Sequence, residues 1–180
     1  CIRDRLEVHF VDSEQAHKAV LDGDLSLAFL TLPPVYDKRL NYHMLWSDPL
    51  HFVTGILSPL AHKMNVTLEQ LANYPAILPA ANTFTSQITL AEFAKYNLKP
   101  YATMSTNPLE SIRMLVSVGL GWSVLPQTLV NQDLQPINMD TPVELQRYLG
   151  LVTNPNITVS ASMAALLDML GLEVDGKHRD

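Results

Sequence analysis

The most regular hydrophobic pattern in the chain lies in residues 107–126. Apolar residues recur there every three or four positions, which predicts a helix with Asn107 as its cap, Pro108 in its first turn and Gly119 at its end. The apolar face is predicted to contain Ile112, Leu115, Val116 and Val118. The apolar run at 122–125 then predicts a short buried strand. The segment is therefore interpreted as a helix, a glycine turn and a strand.

The first thirty residues predict a strand, a helix and a second strand. Residues 6–11 alternate between apolar and polar side chains, as strands with one buried face do. Asp12 and Gln15 have the spacing of a capping box, and Gly23 ends the helix that follows. Residues 25–30 are nearly all apolar, which predicts a strand covered on both faces. Because a helix links the two strands, we expect them to be parallel in one sheet.

Short strands and helices alternate through the rest of the chain. Capping residues indicate helices that begin near Thr67, Thr83 and either Thr158 or Ser160. Strands are predicted at residues 42–46 and 50–54, on either side of a turn at 47–49, and at residues 76–78, 101–104, 134–137 and 148–153. Trp46 and Trp122 are predicted to be core residues. This alternation is typical of the α/β class.

Length and composition favour a globular, soluble protein. With 180 residues, of which 47% are hydrophobic, the chain can bury the core of one domain or of two small lobes. It has no run of about 18 apolar residues and no basic-then-apolar leader, so we expect neither a membrane span nor secretion. We therefore expect a cytoplasmic location. Because it begins with Cys1, we interpret it as a fragment of a longer protein.

Charge and side-chain chemistry argue against several functions. The formal net charge is −6 with 12 Lys plus Arg, whereas nucleic-acid binding needs a basic face. The single cysteine allows no internal disulfide, and the six histidines lack HxH and HExxH spacing, so we expect no metal site and no cofactor. Val124 occupies the third glycine's place after Gly119 and Gly121, which excludes a GxGxxG phosphate loop. No residue is assigned a catalytic role.

Candidate ligand contacts lie where predicted strands end. Thr31 and Leu32 follow residues 25–30 at the carboxyl end of a strand, where open α/β sheets bind ligands, although an ordinary loop is the alternative. A helix start with unpaired N–H groups and hydroxyls suits a carboxylate or another small anion. The residues that offer this are Thr83, Phe84, Thr85 and Ser86. Capping alone is the alternative there, and capping is the favoured explanation for Asn107 and Pro108.

The segment at 107–126 resembles the effector-binding domains of LysR-type transcriptional regulators. In these domains a capped helix is followed by Val-x-x-Gly-x-Gly and an apolar strand that ends in Leu-Pro or Val-Pro. Residues 21–29, 47–53 and 58–61 are similar to three further motifs of the family. The resemblance extends from Leu6 to Leu170.

The resemblance implies an α/β fold with two lobes, of the type 2 periplasmic-binding-protein-like kind, in which each lobe is a mixed, mostly parallel sheet flanked by helices. Lobe I would contain residues 1–49 and 148–180, and lobe II residues 50–147. A small effector, with a carboxylate or other anion expected, would bind in the cleft between them and contact the candidate residues above. The resemblance also implies a homodimer or higher oligomer, DNA contact only through an N-terminal helix-turn-helix domain, no membrane contact and no catalysis.

The chain departs from the family pattern in two ways. Ser26 stands where the family usually has aspartate. The helix-turn-helix domain and the first strand and helix of the effector domain are absent, so we expect this chain to associate or to exchange a strand with another copy. Two other functions stay open, which are a solute-binding protein of a transporter and a small α/β enzyme.

Overall fold

The computed structural model describes residues 7–172, and the chain divides into two compact units. One unit contains the residues up to Leu45 and from Leu149 onward, and the other is Trp46–Tyr148. In chain order the elements are α1 (Ser13–Asp22), β1 (Leu27–Thr31), β2 (Asn41–Gly55), α2 (Leu68–Ala72), β3 (Ala76–Leu78), α3 (Phe84–Ala94), β4 (Ala102–Ser105), α4 (Leu109–Ser117), β5 (Trp122–Pro126), β6 (Leu134–Pro136), β7 (Leu145–Thr153) and α5 (Ala161–Met169). Strands β2 and β7 each contain residues of both units.

In the first unit, β1 pairs with β7 in an antiparallel ladder that places Thr31 opposite Leu149. Met163 and Leu167 of α5 pack against Leu151 of β7, and all three side chains are buried. These three side chains therefore form a small hydrophobic core between α5 and β7 in this unit.

In the second unit, the strand order is β2, β5, β3, β4, and β6 pairs with β2. Strand β3 is parallel to β4 and β5, while β2 is antiparallel to β5 and β6. Trp122 is fully buried, with its ring centroid 5.7 Å from those of Phe52 and Phe93, and its Nε1 donates to the carbonyl of Tyr74 at 3.0 Å. The predicted mixed α/β fold and the core position of Trp122 are therefore confirmed.

The predicted helix, glycine turn and strand at 107–126 correspond to α4 and β5. Gly119 has a φ of +85°, and its N–H donates to the Val116 carbonyl at 2.9 Å. The N–H of Leu120 donates to the Leu115 carbonyl at 3.2 Å, which completes a Schellman-type helix end. Val118 was predicted to face the core, but it is 68% exposed because it lies beyond the last helical turn.

Helix caps were predicted with mixed success. Thr67 and Gln70 form the predicted capping box of α2, and Ser160 caps α5. The capping box at Asp12 is wrong, because no side-chain cap bond forms at that end of α1. Asn107 is not a cap either, since Pro108 occupies the N-cap position of α4.

The predicted parallel strand–helix–strand unit at the start of the chain is wrong. Residues 7–12 contain no strand, and Leu6 lies outside the described residues. A strand needs a neighbouring ladder, and residues 7–12 have none within the described chain. Strand β1 is antiparallel to its only neighbour of residues 7–172, and Phe29 is 48% exposed, so β1 is not covered on both faces as predicted.

The predicted turn at residues 47–49 is also wrong. Strand β2 continues through it over 15 residues. Asp48 is held in the extended chain by Arg147 of β7, which donates to its carboxylate, so this tertiary contact overrides the local turn preference of Asp-Pro. Trp46, predicted to be a core residue, is 58% exposed.

Candidate functional site

The parallel pairing of β3 and β4 brings two predicted turns to one edge of the second unit's sheet. Leu78, the last residue of β3, lies opposite Ser105, the last residue of β4. The chain continues from these ends into the turns before α3 and α4. The N–H of Thr106 donates to the Leu78 carbonyl at 3.3 Å. The carboxyl ends of adjacent parallel strands are the usual ligand-binding edge of an α/β sheet.

Asn107 joins the two turns directly. Its Oδ1 accepts a hydrogen bond from the N–H of Ala80 at 3.1 Å. The amide therefore orders the loop before α3, which is a role that its position beside a helix start does not reveal. Pro108 lies in this same turn and is exposed.

Two of the hydroxyls at the start of α3 are committed to the loop that precedes it. Thr83 donates to the Ala80 carbonyl at 2.8 Å and accepts from the N–H of Ser86 at 3.2 Å. Ser86, only 1% exposed, donates to the Pro79 carbonyl at 2.6 Å. Since each hydroxyl has one hydrogen, both can offer a ligand only an acceptor.

Thr85 is 7% exposed, and no hydrogen bond of its hydroxyl is found within residues 7–172. The fully buried hydroxyls without a partner in that range belong instead to Thr54 and Ser123, so the hydroxyl of Thr85 is not sealed from solvent. Its N–H is at the second helical position, where no intrahelical acceptor exists. Phe84, 9% exposed, precedes it in the same buried turn. Thr85 can therefore offer a small anion two donors at this helix start, its N–H and its hydroxyl.

In the first unit, Thr31 and Leu32 lie where the sequence predicted, at the carboxyl end of β1. Both are buried, at 7% and 3% exposure. The N–H of Thr31 donates to the hydroxyl of Ser13 in the first turn of α1 at 3.1 Å. Ser13 was not among the candidate residues predicted from the sequence, because only the fold places this helix start beside β1.

The eight predicted residues carry no charged side chain, so the candidate site would bind an anion by hydrogen bonds and helix-end N–H groups.

A surface cavity of about 690 Å³ is lined by Tyr101, Ala102 and Lys99 among others, at the opposite end of β4 from Ser105. Within residues 7–172, no group of His, Cys, Asp or Glu side chains could hold a metal ion. No helix there is long and apolar enough to span a membrane.

Residues 5–174 match the family described as "LysR substrate binding domain". The chain belongs to this family. The Escherichia coli (strain K12) Hca operon transcriptional activator HcaR is 30% identical over 127 residues, which are 69% of this LysR substrate binding domain and 42% of HcaR. The domain spans about half the length of the curated relatives that it matches.

Solved structures share the fold of this LysR substrate binding domain. The Synechocystis PCC6803 CcmR regulatory domain in complex with 2-PG has a TM-score of 0.75 at 22% identity, over 88% of this chain and 78% of that one. The effector binding domain of QuiR in complex with shikimate has a TM-score of 0.75 at 20% identity, over 89% and 77%. The expected fold family is confirmed. Relatives named as transcriptional regulators favour the regulator over a transporter solute-binding protein.

Proposed function

We propose that this LysR substrate binding domain senses a small anionic effector, with a carboxylate as the first candidate. The effector would bind in the cleft between lobes formed by residues 1–49 with 148–180 and by residues 50–147. Catalysis has no part in this proposal, since the relatives are regulators.

One observation carries the proposal, which is the donor set of Thr85. Its hydroxyl makes no hydrogen bond found within residues 7–172 and, unlike the hydroxyls of Thr54 and Ser123, is not shut off from solvent, so it can donate to a ligand acceptor. The neighbouring N–H groups at the start of α3 favour a negative charge on that ligand. Phe84, Thr83 and Ser86 would shape the same subsite, Asn107 and Pro108 would border it, and Thr31 with Leu32 would contribute from the other lobe.

The signal would be a population shift. An effector that binds the closed arrangement of the lobes better than the open one changes their relative populations by its differential affinity. In a full-length regulator, which would act as a dimer in the cytoplasm, that change would reach DNA through a helix-turn-helix domain.

Calorimetric titration tests the proposal. We would titrate the 180-residue chain with shikimate, 2-PG and a panel of mono- and dicarboxylates, and repeat any positive titration with Thr85→Val. Valine keeps the shape of threonine and removes the hydroxyl, so the affinity should fall by roughly tenfold, as loss of one hydrogen bond to a charged group predicts. Thr128→Val, at an exposed position in the same unit, is the matched control and should bind as the wild type does. Unchanged binding by Thr85→Val, or no binding by any member of the panel, would contradict the proposal.

A further inference from the structure

One ion pair in the part of the chain that the structure describes differs from the others in burial and in reach. Arg147 of β7 donates from Nε to Oδ2 of Asp48 on β2 at 2.7 Å, and its Nη2 lies 2.6 Å from the same oxygen. The two side chains are 11% and 12% exposed, and they are 99 residues apart in sequence. Every other ion pair found there is local in sequence and has at least one partner that is more than 60% exposed.

A buried ion pair of this kind is better explained by geometry than by stability. Removing two charges from water offsets most of their attraction, so such pairs add little net free energy of folding. Removing one partner, however, leaves an uncompensated buried charge. The pair therefore favours the one arrangement of β2 and β7 in which both charges meet.

The position of the pair gives it a mechanical role. Strand β2 enters the second unit at Trp46, two residues before Asp48. Strand β7 leaves that unit after Tyr148, one residue beyond Arg147. The pair thus joins the two connecting strands immediately inside the second unit.

A second close approach joins the same strands inside the first unit. A Cβ atom on Gly150 of β7 would lie 2.4 Å from the carbonyl oxygen of His43 on β2, and 3.0 Å from the terminal carbons of Leu32. Only glycine permits this approach, since contacts under 3.0 Å are essentially never made by a Cβ atom.

Most side chains between these two contacts are exposed, although Leu45 packs against the core formed by β7 and α5. Met44, Trp46 and Tyr148 are 61%, 58% and 40% exposed, and Ser47 is exposed as well. Segments with few buried contacts are those that accommodate bending most easily.

We propose that Asp48 and Arg147 form a positioning pair, which holds β2 to β7 where both enter the second unit and confines bending between the units to residues 44–47 and 148–149. The consequence for ligand affinity rests on the proposed function. If the pair is broken, bending spreads into the second unit and a smaller fraction of molecules is competent to bind, so the apparent dissociation constant rises in proportion.

Bending can be measured without a ligand. Spin labels at Asp24→Cys and Lys99→Cys, both exposed positions and one in each unit, report the distribution of distances between the units in a Cys1→Ser background. Asp48→Asn and Arg147→Met should each broaden this distribution, and the exchanged variant Asp48→Arg with Arg147→Asp should narrow it again. Arg113→Met removes an exposed pair with Glu110 in the same unit and should leave the width unchanged.

A wild-type width in both single variants would overturn the proposal, as would an exchanged variant as broad as they are. If Arg147→Met does not fold, Arg147→Lys decides in its place, because lysine retains the charge but loses the two-nitrogen contact and should broaden the distribution less than Asp48→Asn. Hydrogen exchange at residues 49–55 should become faster in the same variants and stay unchanged in Arg113→Met.

The ligand-free measurement separates this inference from the proposed function. If shikimate, 2-PG and the carboxylate panel do not bind, the proposed function fails while the distance distributions still decide the role of the pair. If one of them binds, Asp48→Asn should weaken its apparent affinity by roughly fivefold or more. Unchanged affinity together with a broader distribution would refute the predicted consequence for binding.

Discussion

A Cβ atom on Gly121 would lie 2.5 Å from the carbonyl oxygen of Pro75. The same oxygen accepts the N–H of Trp122 at 2.9 Å, so the turn before β5 passes directly against the start of β3. Gly121 is thus needed for a close backbone approach, whereas Gly119, with a φ of +85°, is needed for its conformation.

Substitutions at the two glycines should therefore differ in their effects. Gly121→Ala and Gly121→Asn should both lower the free energy of unfolding by about 1–3 kcal/mol, because either side chain forces the backbones apart. Gly119→Ala should lower it by about 1–2 kcal/mol, while Gly119→Asn should cost less because asparagine tolerates the left-handed region. Urea denaturation measures all four variants. Equal effects of alanine and asparagine at Gly119 would contradict the conformational explanation.

The hydroxyls of α3 should separate into structural and ligand-facing groups. Ser86→Ala removes the hydrogen bond to the Pro79 carbonyl at 2.6 Å and should lower the free energy of unfolding by about 1–2 kcal/mol. Thr85→Val removes a hydroxyl that makes no such bond within residues 7–172, so stability should be unchanged or higher. Thermal denaturation without ligand measures both. A destabilised Thr85→Val would indicate a structural role for that hydroxyl.

His17 should make stability depend on pH. Its Nε2 lies 2.7 Å from the Tyr42 hydroxyl, and burial lowers the pKa of His17 below 6.5, against the smaller opposing effects of Asp37 and Glu14. The folded state thus prefers the neutral ring, so the stabilisation is complete above pH 6.5 and is lost as the pH falls through the lower pKa of the folded state. Denaturation across this pH range should show a loss that is smaller in His17→Gln. His62→Gln, at an exposed position, should behave as the wild type does, and an identical slope in His17→Gln would refute the assignment.

Features that depend on neighbouring residues in sequence could be predicted, and those that depend on distant partners could not. The capping box of Thr67 and the helix end at Gly119 follow from local hydrogen bonds and conformation. The turn predicted at 47–49 failed because Arg147, 99 residues away, holds Asp48 in a strand. The sequence shows that hydroxyl side chains cluster at the start of α3. It does not show which of them bond to carbonyls of the preceding loop, because the path of that loop depends on the fold.

This 180-residue chain should not bind DNA sequence-specifically on its own. Its net charge is −6, and phosphate neutralisation needs a cluster of lysine or arginine side chains. Gel-shift titration with a fragment that carries candidate operator sequences should show no site-specific complex. A sequence-dependent gel shift at nanomolar concentrations of this chain alone would contradict the proposal that a separate helix-turn-helix domain makes the DNA contact.

Self-association is expected from the outer edge of β1. Within residues 7–172, β1 pairs with β7 alone, which leaves a row of backbone donors and acceptors along its other side. Phe29 on β1 is 48% exposed, and Phe10, which precedes α1, is 95% exposed. Pairing with a strand from a second copy would satisfy these groups and cover Phe29.

Light scattering at increasing concentration should therefore show a dimer or larger species. Phe29→Lys should shift the equilibrium towards the monomer, because a charge disfavours burial at this edge. Phe10→Lys, outside any strand, is the control for a general loss of surface hydrophobicity, and a wild-type chain that stays monomeric at high concentration would contradict the prediction.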